Sequence, residues 1–315
     1  MDKKTFLELS LMTEVASMYY ERHLTQEEIG KLLFISRPRV SRILKKAEDT
    51  GIVEIKVKHT LNRAYYLEER LCSRYNMNKI IVYNAVGRTP VEAKRGVCEL
   101  AAAYLQEAIT HSVVIGLSWG STVAQAVDLI AHPPSIPIDV VQIMGAAATT
   151  NAQNNGENIA HKFAGKFGGT VYSLNAPLFV EREVRECLER DPIISQTLSI
   201  AAKADMILTS VGTLDVKSFS NPWIGYITKD MFDELTAQGA VGCIGARFYN
   251  AEGAEIKKFG NMECVGIDLA KVRKCPDVVA VASGANKTKA ILGALNGRLI
   301  DTLIIDSVIA DALLE

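Results

Sequence analysis

The apolar positions of this chain keep two different periods, and the change falls near residue 78. Before it they recur every three or four residues. Leu7, Leu11, Val15 and Met18 mark one stripe of a helix predicted over Thr5–Arg22, suited to packing behind its neighbours. From Leu24 to Val57 the helical period breaks into two short segments and a tail. Thr25 and Glu28 form a capping box at the start of the first segment, with Ile29, Leu32 and Leu33 on its buried side. Ser36 caps the second, Pro38 occupies its first turn, Val40, Ile43, Leu44 and Ala47 share its buried face, and Gly51 ends it. The run IVEIKV over 52–57 then alternates as a short wing strand. Two short helices, a tight turn and a wing predict a winged helix-turn-helix of the kind that reads DNA.

The outer face of the second helix changes what that pattern means. It carries Pro38, Arg39, Ser41, Arg42, Lys45 and Lys46, with Arg37 at its start, and no acidic residue falls between Leu32 and Glu48. Such a face suits phosphates, with Arg forks available to guanine edges, so Arg37, Arg39, Ser41, Arg42 and Lys45 are the expected DNA contacts. A solvated basic face on an ordinary surface helix is the competing reading. The order of cap, proline, basic face, glycine stop and wing favours DNA.

Leu61–Tyr75 is again helical, with Ala64, Leu67, Leu71 and Tyr75 on one stripe; it could pair with its copy in a dimer or pack within the chain. From Lys79 short β-branched runs alternate with helical stretches, which predicts a Rossmann-like α/β domain with a mostly parallel sheet. Strands are expected at 79–85, 112–118, 139–145, 206–212, 240–249, 278–284 and 302–307, with helices over 90–108, from Asn286 and after Ser307. The resulting division is 1–58 for the DNA-binding domain, 59–77 for the connecting helix and 78–315 for a ligand-binding domain with an oligomerisation surface.

Within that domain, VVIGLSWGSTVAQAVDLI ends a strand in a glycine- and hydroxyl-rich turn and starts a helix with Val123, Val127 and Ile130 inward. Gly120 lets the backbone approach a ligand, free N–H groups at the helix start point at it, and the hydroxyls of Ser118, Ser121 and Thr122 add donors: a cradle for an anion. A plain helix-capping turn reads equally well from this loop alone. Lys287, in ASGANKTKAI just past a strand and in the expected first turn of a helix, weighs toward the anion, because a cation there opposes the helix dipole unless an anion is present. Arg247, at a strand end in GARFYNAEG, is a weaker basic candidate.

Composition narrows the class without naming a ligand. The chain has 315 residues, 48% hydrophobic and 23% charged, with a net charge of -1, so any attraction to nucleic acid must be local. Residues 1–60 hold 11 Lys and Arg against 9 Asp and Glu. Cysteines 72, 98, 187, 243, 264 and 275 show neither C-x-x-C nor histidine at ligand spacing, and are expected as reduced core thiols rather than a metal site. Histidines 23, 59, 111, 132 and 161 are scattered. No signal-type segment or long apolar run occurs, so a cytoplasmic protein with no membrane partner is expected; no cofactor, metal or catalytic residue is expected either.

In this order, SWGST, VVQIMG, AVGCIGARFYNAEG and VASGANKTKAILGALNGRLIDTLIIDSVIADALL resemble the SorC/DeoR-type sugar-responsive bacterial transcription regulators over nearly the whole chain. The resemblance implies an effector domain similar in fold to sugar-phosphate isomerases, deaminases and CoA transferases, which binds a phosphorylated sugar without converting it. It implies that Gly120, Ser121 and Thr122 hold the phosphate, that Gly145 floors the pocket, that Lys287 clamps the anion and that Arg247 fills the strand-end basic position. Two departures bear on this: Met144 stands where some relatives carry a basic residue, so no covalent amine-to-aldehyde link is expected, and Cys243 stands where others carry a carboxylate. The partners implied are operator DNA, a phosphorylated sugar effector and a second copy of the chain, as dimer or tetramer. An isomerase or deaminase with an appended DNA-binding domain is the alternative, kept open by Asp205, Asp215 and Glu181 at strand and helix ends although no His or acidic pair falls beside the glycine loop. A module whose helix-turn-helix binds protein is disfavoured by the uninterrupted basic face.

Overall fold

The computed structural model describes residues 3–53, 62–131, 133, 135–146, 155–214 and 227–315. Contacts divide the chain into two compact units, Met1–His59 and Thr60–Glu315.

The first unit packs three helices, α1 (Lys3–Ala16), α2 (Gln26–Leu32) and α3 (Arg37–Asp49), around Val15, Ile29, Val40 and Leu44. The capping box at Thr25 and Glu28 is formed in both directions. Ser36 is the N-cap residue of α3 and Pro38 lies in its first turn, but the Ser36 side chain makes no capping bond. Two apolar positions expected inside are outside. Leu7 is 59% exposed and Leu32 is 57% exposed. The cause at Leu32 is its neighbour Gly30: α2 is rolled so that Gly30 faces the turn, where a Cβ would stand 2.8 Å from the Ile35 carbonyl oxygen. That roll keeps Ile29 and Gly30 buried and moves Leu32 to the flank. The stripe of α1 also changes phase, because the helix passes into a π turn over Ser17–Glu21. The wing expected at 52–57 lies almost wholly outside the described residues.

The second unit is built on a seven-stranded, wholly parallel sheet. Its strands are β1 (Lys79–Tyr83), β2 (Val114–Leu117), β3 (Asp139–Gln142), β4 (Thr170–Tyr172), β6 (Met206–Ser210), β12 (Asp277–Val281) and β13 (Thr302–Asp306), in the order β1-β13-β12-β6-β2-β3-β4. The interior of this sheet is almost unbroken Val, Ile and Leu, as strands covered on both faces require. Helices α5 (Pro90–Ala108), α6 (Ser121–Asp128), α7 (Gly156–Phe167), α9 (Pro192–Ala201), α12 (Thr288–Asn296) and α13 (Ser307–Leu314) belong to this layer system. The chain steps one way through β2, β3 and β4 and the other way through β6, β12 and β13. The sheet therefore reverses direction between β2 and β6, the place where open α/β sheets leave a crevice at their carboxyl ends.

Two smaller sheets flank this layer. β5 (Phe179–Glu181) pairs with β11 (Met262–Cys264), and β7 (Gly212–Thr213), β8 (Ala240–Ile244), β9 (Arg247–Asn250) and β10 (Glu255–Ile256) form an antiparallel sheet. The stretch 240–249, expected as one strand, is a hairpin: Ile244 faces Arg247 across Gly245 and Ala246, both at positive φ (55° and 63°). Helices α8 (Arg182–Arg190), α10 (Lys229–Ala237) and α11 (Leu269–Val272) complete the unit.

Helix α4 covers Tyr65–Tyr75 and packs inside this unit, against β1 and α13. Leu71 is fully buried, the Tyr75 hydroxyl donates to the Leu313 carbonyl at 2.7 Å, and Arg74 donates to the Leu314 carbonyl. Glu68, buried, takes both Arg63 N–H groups and the Val82 amide. The stripe at 64, 67, 71 and 75 is thus spent within the chain. Of the six cysteines none is in a disulfide; Cys98, Cys243 and Cys264 are buried, whereas Cys187 is exposed. Among the described residues no helix is long and apolar enough to cross a membrane, and no cluster of His, Cys, Asp and Glu could hold a metal ion.

Candidate functional site

In the first unit, α3 buries Val40, Leu44 and Ala47 and turns Arg37, Arg39, Ser41, Arg42 and Lys45 to solvent. The local cause is the 3.6-residue period itself: once the apolar stripe is fixed against α1 and α2, every cation falls on the opposite side. None of Arg37, Arg39 and Lys45 is in an ion pair among the described residues, and Arg42 makes one long bond, 3.4 Å, to the Pro38 carbonyl. Lys46 differs. It pairs with Glu8 of α1, so it fastens the helix to its support and is not part of the open face.

In the second unit, the carboxyl ends of β2 and β6, where the sheet reverses, bring together Ser118, Gly120, Ser121, Thr122 and Lys287. Gly120 is the N-cap of α6 with φ 149° and ψ 158°, a backbone region essentially reserved for glycine. The first α6 amide bonded within the helix is that of Ala124, to the Gly120 carbonyl at 2.9 Å, so the amides ahead of it have no intrahelical acceptor. Thr122 is buried, and its carbonyl receives the Cys98 thiol. Ser118 is only 3% exposed and, among the described residues, its hydroxyl oxygen finds no hydrogen-bond partner. Leaving a buried hydroxyl unpaired costs about 1–3 kcal/mol.

Lys287 reaches this crevice from β12. It does not lie in an α-helix: Gly284, at φ 100°, turns the chain into a 3-10 turn over Ala285–Lys287, and α12 begins after it. The loop is held from below by Asp306, whose Oδ2 accepts from the Ser283 hydroxyl at 2.7 Å and the Gly284 amide at 2.8 Å, and whose Oδ1 accepts from the Ile309 amide at 2.9 Å. The Lys287 ammonium donates to the Val211 carbonyl at 2.9 Å, just beyond the end of β6. Desolvation pushes its pKa down from the ordinary 10.5, and the Lys94 ammonium nearby pushes the same way. Among the described residues no carboxylate pairs with either lysine. Lys94 was not legible from the sequence as a site residue. It stands in the first turns of α5 beside the buried Ala93, and its Nζ donates to the Ser121 hydroxyl at 2.9 Å. Only the topology, which lays α5 against α6, brings it there.

Two expected residues have other work. Gly145 is needed by packing, since a Cβ would stand 2.5 Å from the Pro177 carbonyl oxygen, and its own carbonyl accepts the Trp119 indole N–H at 3.0 Å. Arg247 is not brought to the cradle as a free cation. It is buried, and its guanidinium donates to the carbonyls of Ile267 (3.1 Å) and Gly266 (2.6 Å) and pairs with Glu255 at 3.5 Å. Its strand-end position looked exposed only because the hairpin and the second small sheet were not foreseen. Cys243 sits under Gly212 with its thiol raised to about 12 by burial, hence neutral. Of the acids that would serve an enzyme, Asp205 caps the opposite end of the sheet by accepting the Val114 amide, Glu181 is exposed beside α8, and Asp215 lies outside the described residues. Among the described residues this end of the sheet offers cations, hydroxyls and amides, which suit an anion, and neither Asp205 nor Glu181 is placed there as a general base.

Comparison with known proteins agrees with this division. Residues 59–315 match the Sugar-bind model, a sugar-binding domain, and residues 12–49 match Sigma-70 region 4. The chain is 24% identical to the sorbitol operon regulator of Klebsiella pneumoniae over 98% of both chains, and 28% identical to the deoxyribonucleoside regulator of Bacillus subtilis over 97% of both. The crystal structure of the full-length Klebsiella regulator superposes with a TM-score of 0.74 at 24% identity, covering 98% of this chain and 99% of that one. A DeoR family regulator from Listeria monocytogenes gives 0.72 at 26% identity, covering 79% and 98%. The helical N-terminal unit, the parallel-sheet domain and these matches place the chain in the SorC/DeoR-type transcriptional regulators, DNA-binding proteins with a sugar-binding domain and not enzymes.

Proposed function

We propose that this regulator is switched by a phosphorylated sugar or related metabolite, bound without conversion in the β2–β6 crevice. The observation that carries the reading is the Lys287 ammonium, unpaired by any described carboxylate and bonded just beyond β6, at the same carboxyl end of the sheet as the N-terminus of α6. Both features repel cations and favour an anion, and the amides at the helix start supply its hydrogen bonds. Ser118, Ser121 and Thr122 are read as the hydroxyl donors around it. The names of the relatives tie them to sorbitol and to deoxyribonucleosides, which supports a carbohydrate-derived effector for this chain.

The DNA contacts are read as Arg39 or Arg42 to base edges and Arg37, Ser41 and Lys45 to the backbone, in the cytoplasm. One helix-turn-helix buries little surface, so the regulator is read as a homo-oligomer on two half-sites about one helical turn apart, or a multiple of it. The stripe on α4 is no longer available as its contact. A thermal-shift screen of the full chain against pentose and hexose phosphates and their unphosphorylated sugars tests the effector, because a ligand bound only to the folded state raises the melting temperature by mass action. A shift confined to phosphorylated sugars is expected. Equal shifts with the free sugars would overturn the phosphate reading.

A further inference from the structure

Resting on the phosphorylated-effector reading, we infer that Lys94 is a second phosphate-binding cation, and that it makes the crevice select a doubly charged phosphate over a singly charged anion. Helix α5 otherwise spends this face on the core, with Ala93, Val97, Leu100 and Ala101 buried. Lys94 is partly buried among them, and its ammonium is directed to the Ser121 hydroxyl, at the first residue of α6. A cation at that end of a helix is opposed by the helix dipole. Its charge also bears on Lys287, whose pKa is lowered chiefly by desolvation and further by Lys94.

Like charges held together against a positive helix end favour a negative partner among them. No described carboxylate is that partner. Asp306, the acid whose field reaches Lys287, is already engaged by Ser283, Gly284 and Ile309. Independently, the Ser118 hydroxyl, two residues before Gly120 at the end of β2, is buried and without a hydrogen-bond partner among the described residues. A neutral sugar hydroxyl needs none of this charge, and a carboxylate would be balanced by Lys287 alone. Two ammoniums, the α6 amides and three hydroxyls match the charge and the acceptor oxygens of a phosphate dianion. The sequence hides this because the two lysines are 193 residues apart and only the α5–α6 contact joins them.

The test uses the full chain, with inorganic phosphate and acetate as probes at matched ionic strength near pH 7.5, read by calorimetric titration and melting temperature. The native chain should bind phosphate and be stabilised by it, with little response to acetate. Lys94→Met should weaken phosphate at least tenfold and bring phosphate and acetate close together, and Lys94→Arg should restore most of the preference. Folding is monitored by the melting temperature without added anion, which Lys94→Met should leave unchanged or raise; Lys94→Gln is the second variant should methionine disturb packing. Phosphate affinity within twofold of the native value in both neutral variants would overturn the role of Lys94 while leaving the effector reading intact. A native chain that phosphate stabilises no more than acetate does would overturn both.

Discussion

The two units place positive charge in opposite ways. On α3 the cations stand in water, backed by a small core at Val15, Ile29, Val40 and Leu44, and ready to lie along a polyanion. In the sheet unit Lys94 and Lys287 are drawn toward each other in a crevice, where Lys287 is desolvated. Exposed cations are cheap to keep, and each contributes little alone; their joint effect on DNA falls steeply with salt. A desolvated cation costs stability while its site is empty, and regains it only when a matched anion arrives. The first arrangement suits a long charged surface, and the second suits one small anion.

A third placement sharpens the contrast most. Arg247 is buried but satisfied by two carbonyls and Glu255, so Arg247→Met should cost about 3–5 kcal/mol by leaving the Glu255 carboxylate buried and unpaired. Chemical denaturation measures this, and a loss below about 1 kcal/mol would show that the network is not structural. Arg42→Ala should leave the melting temperature unchanged yet cost about 1–3 kcal/mol in operator binding and relax specificity, as judged by competition with altered operators. Operator affinity unchanged in both Arg42→Ala and Arg39→Ala would remove them from the base-reading set. Lys45→Ala should weaken all DNA sequences alike and lower the slope of log affinity against log salt by about one.

The smallest expected effect is on pH dependence. The folded pKa of Lys287 lies below its unfolded value of 10.5, so between the two the unfolded state binds more protons, and stability from this group rises as pH rises through that window. Lys287→Met should remove that rise in the ligand-free protein and should not lower its melting temperature at neutral pH. Melting curves of both proteins across the alkaline range decide it; parallel curves would mean that the ammonium is not desolvated.

Much of this was legible before the fold was known, for reasons that differ by residue. The capping box at Thr25 and Glu28, the inward stripe of α3 and the β-branched runs of the sheet are local patterns that tertiary packing did not override. Leu32 was misplaced because the roll of α2 is set by the absence of a side chain at Gly30, which a hydrophobic count ignores. The 240–249 hairpin was read as one strand because its turn is Gly245-Ala246, and alanine does not announce a positive φ. Gly120, Ser121, Thr122 and Lys287 could be named from loop chemistry. Lys94 could not, since its relevance depends on which helix its own helix touches, and Arg247 looked like a ligand because the carbonyls that occupy it belong to residues 266 and 267.

The central claim is that an anion at Lys287 governs the reading of DNA by α3. Operator complexes of the native chain and of Lys287→Met, titrated side by side with the phosphorylated sugar found in the thermal screen, test it directly. The variant should bind operator like the native chain in the absence of effector, since the reader is untouched, and should need about 1.5–3 kcal/mol more effector free energy to respond, the range for a charge-assisted hydrogen bond. Native and variant complexes that respond at the same effector concentration would contradict the account.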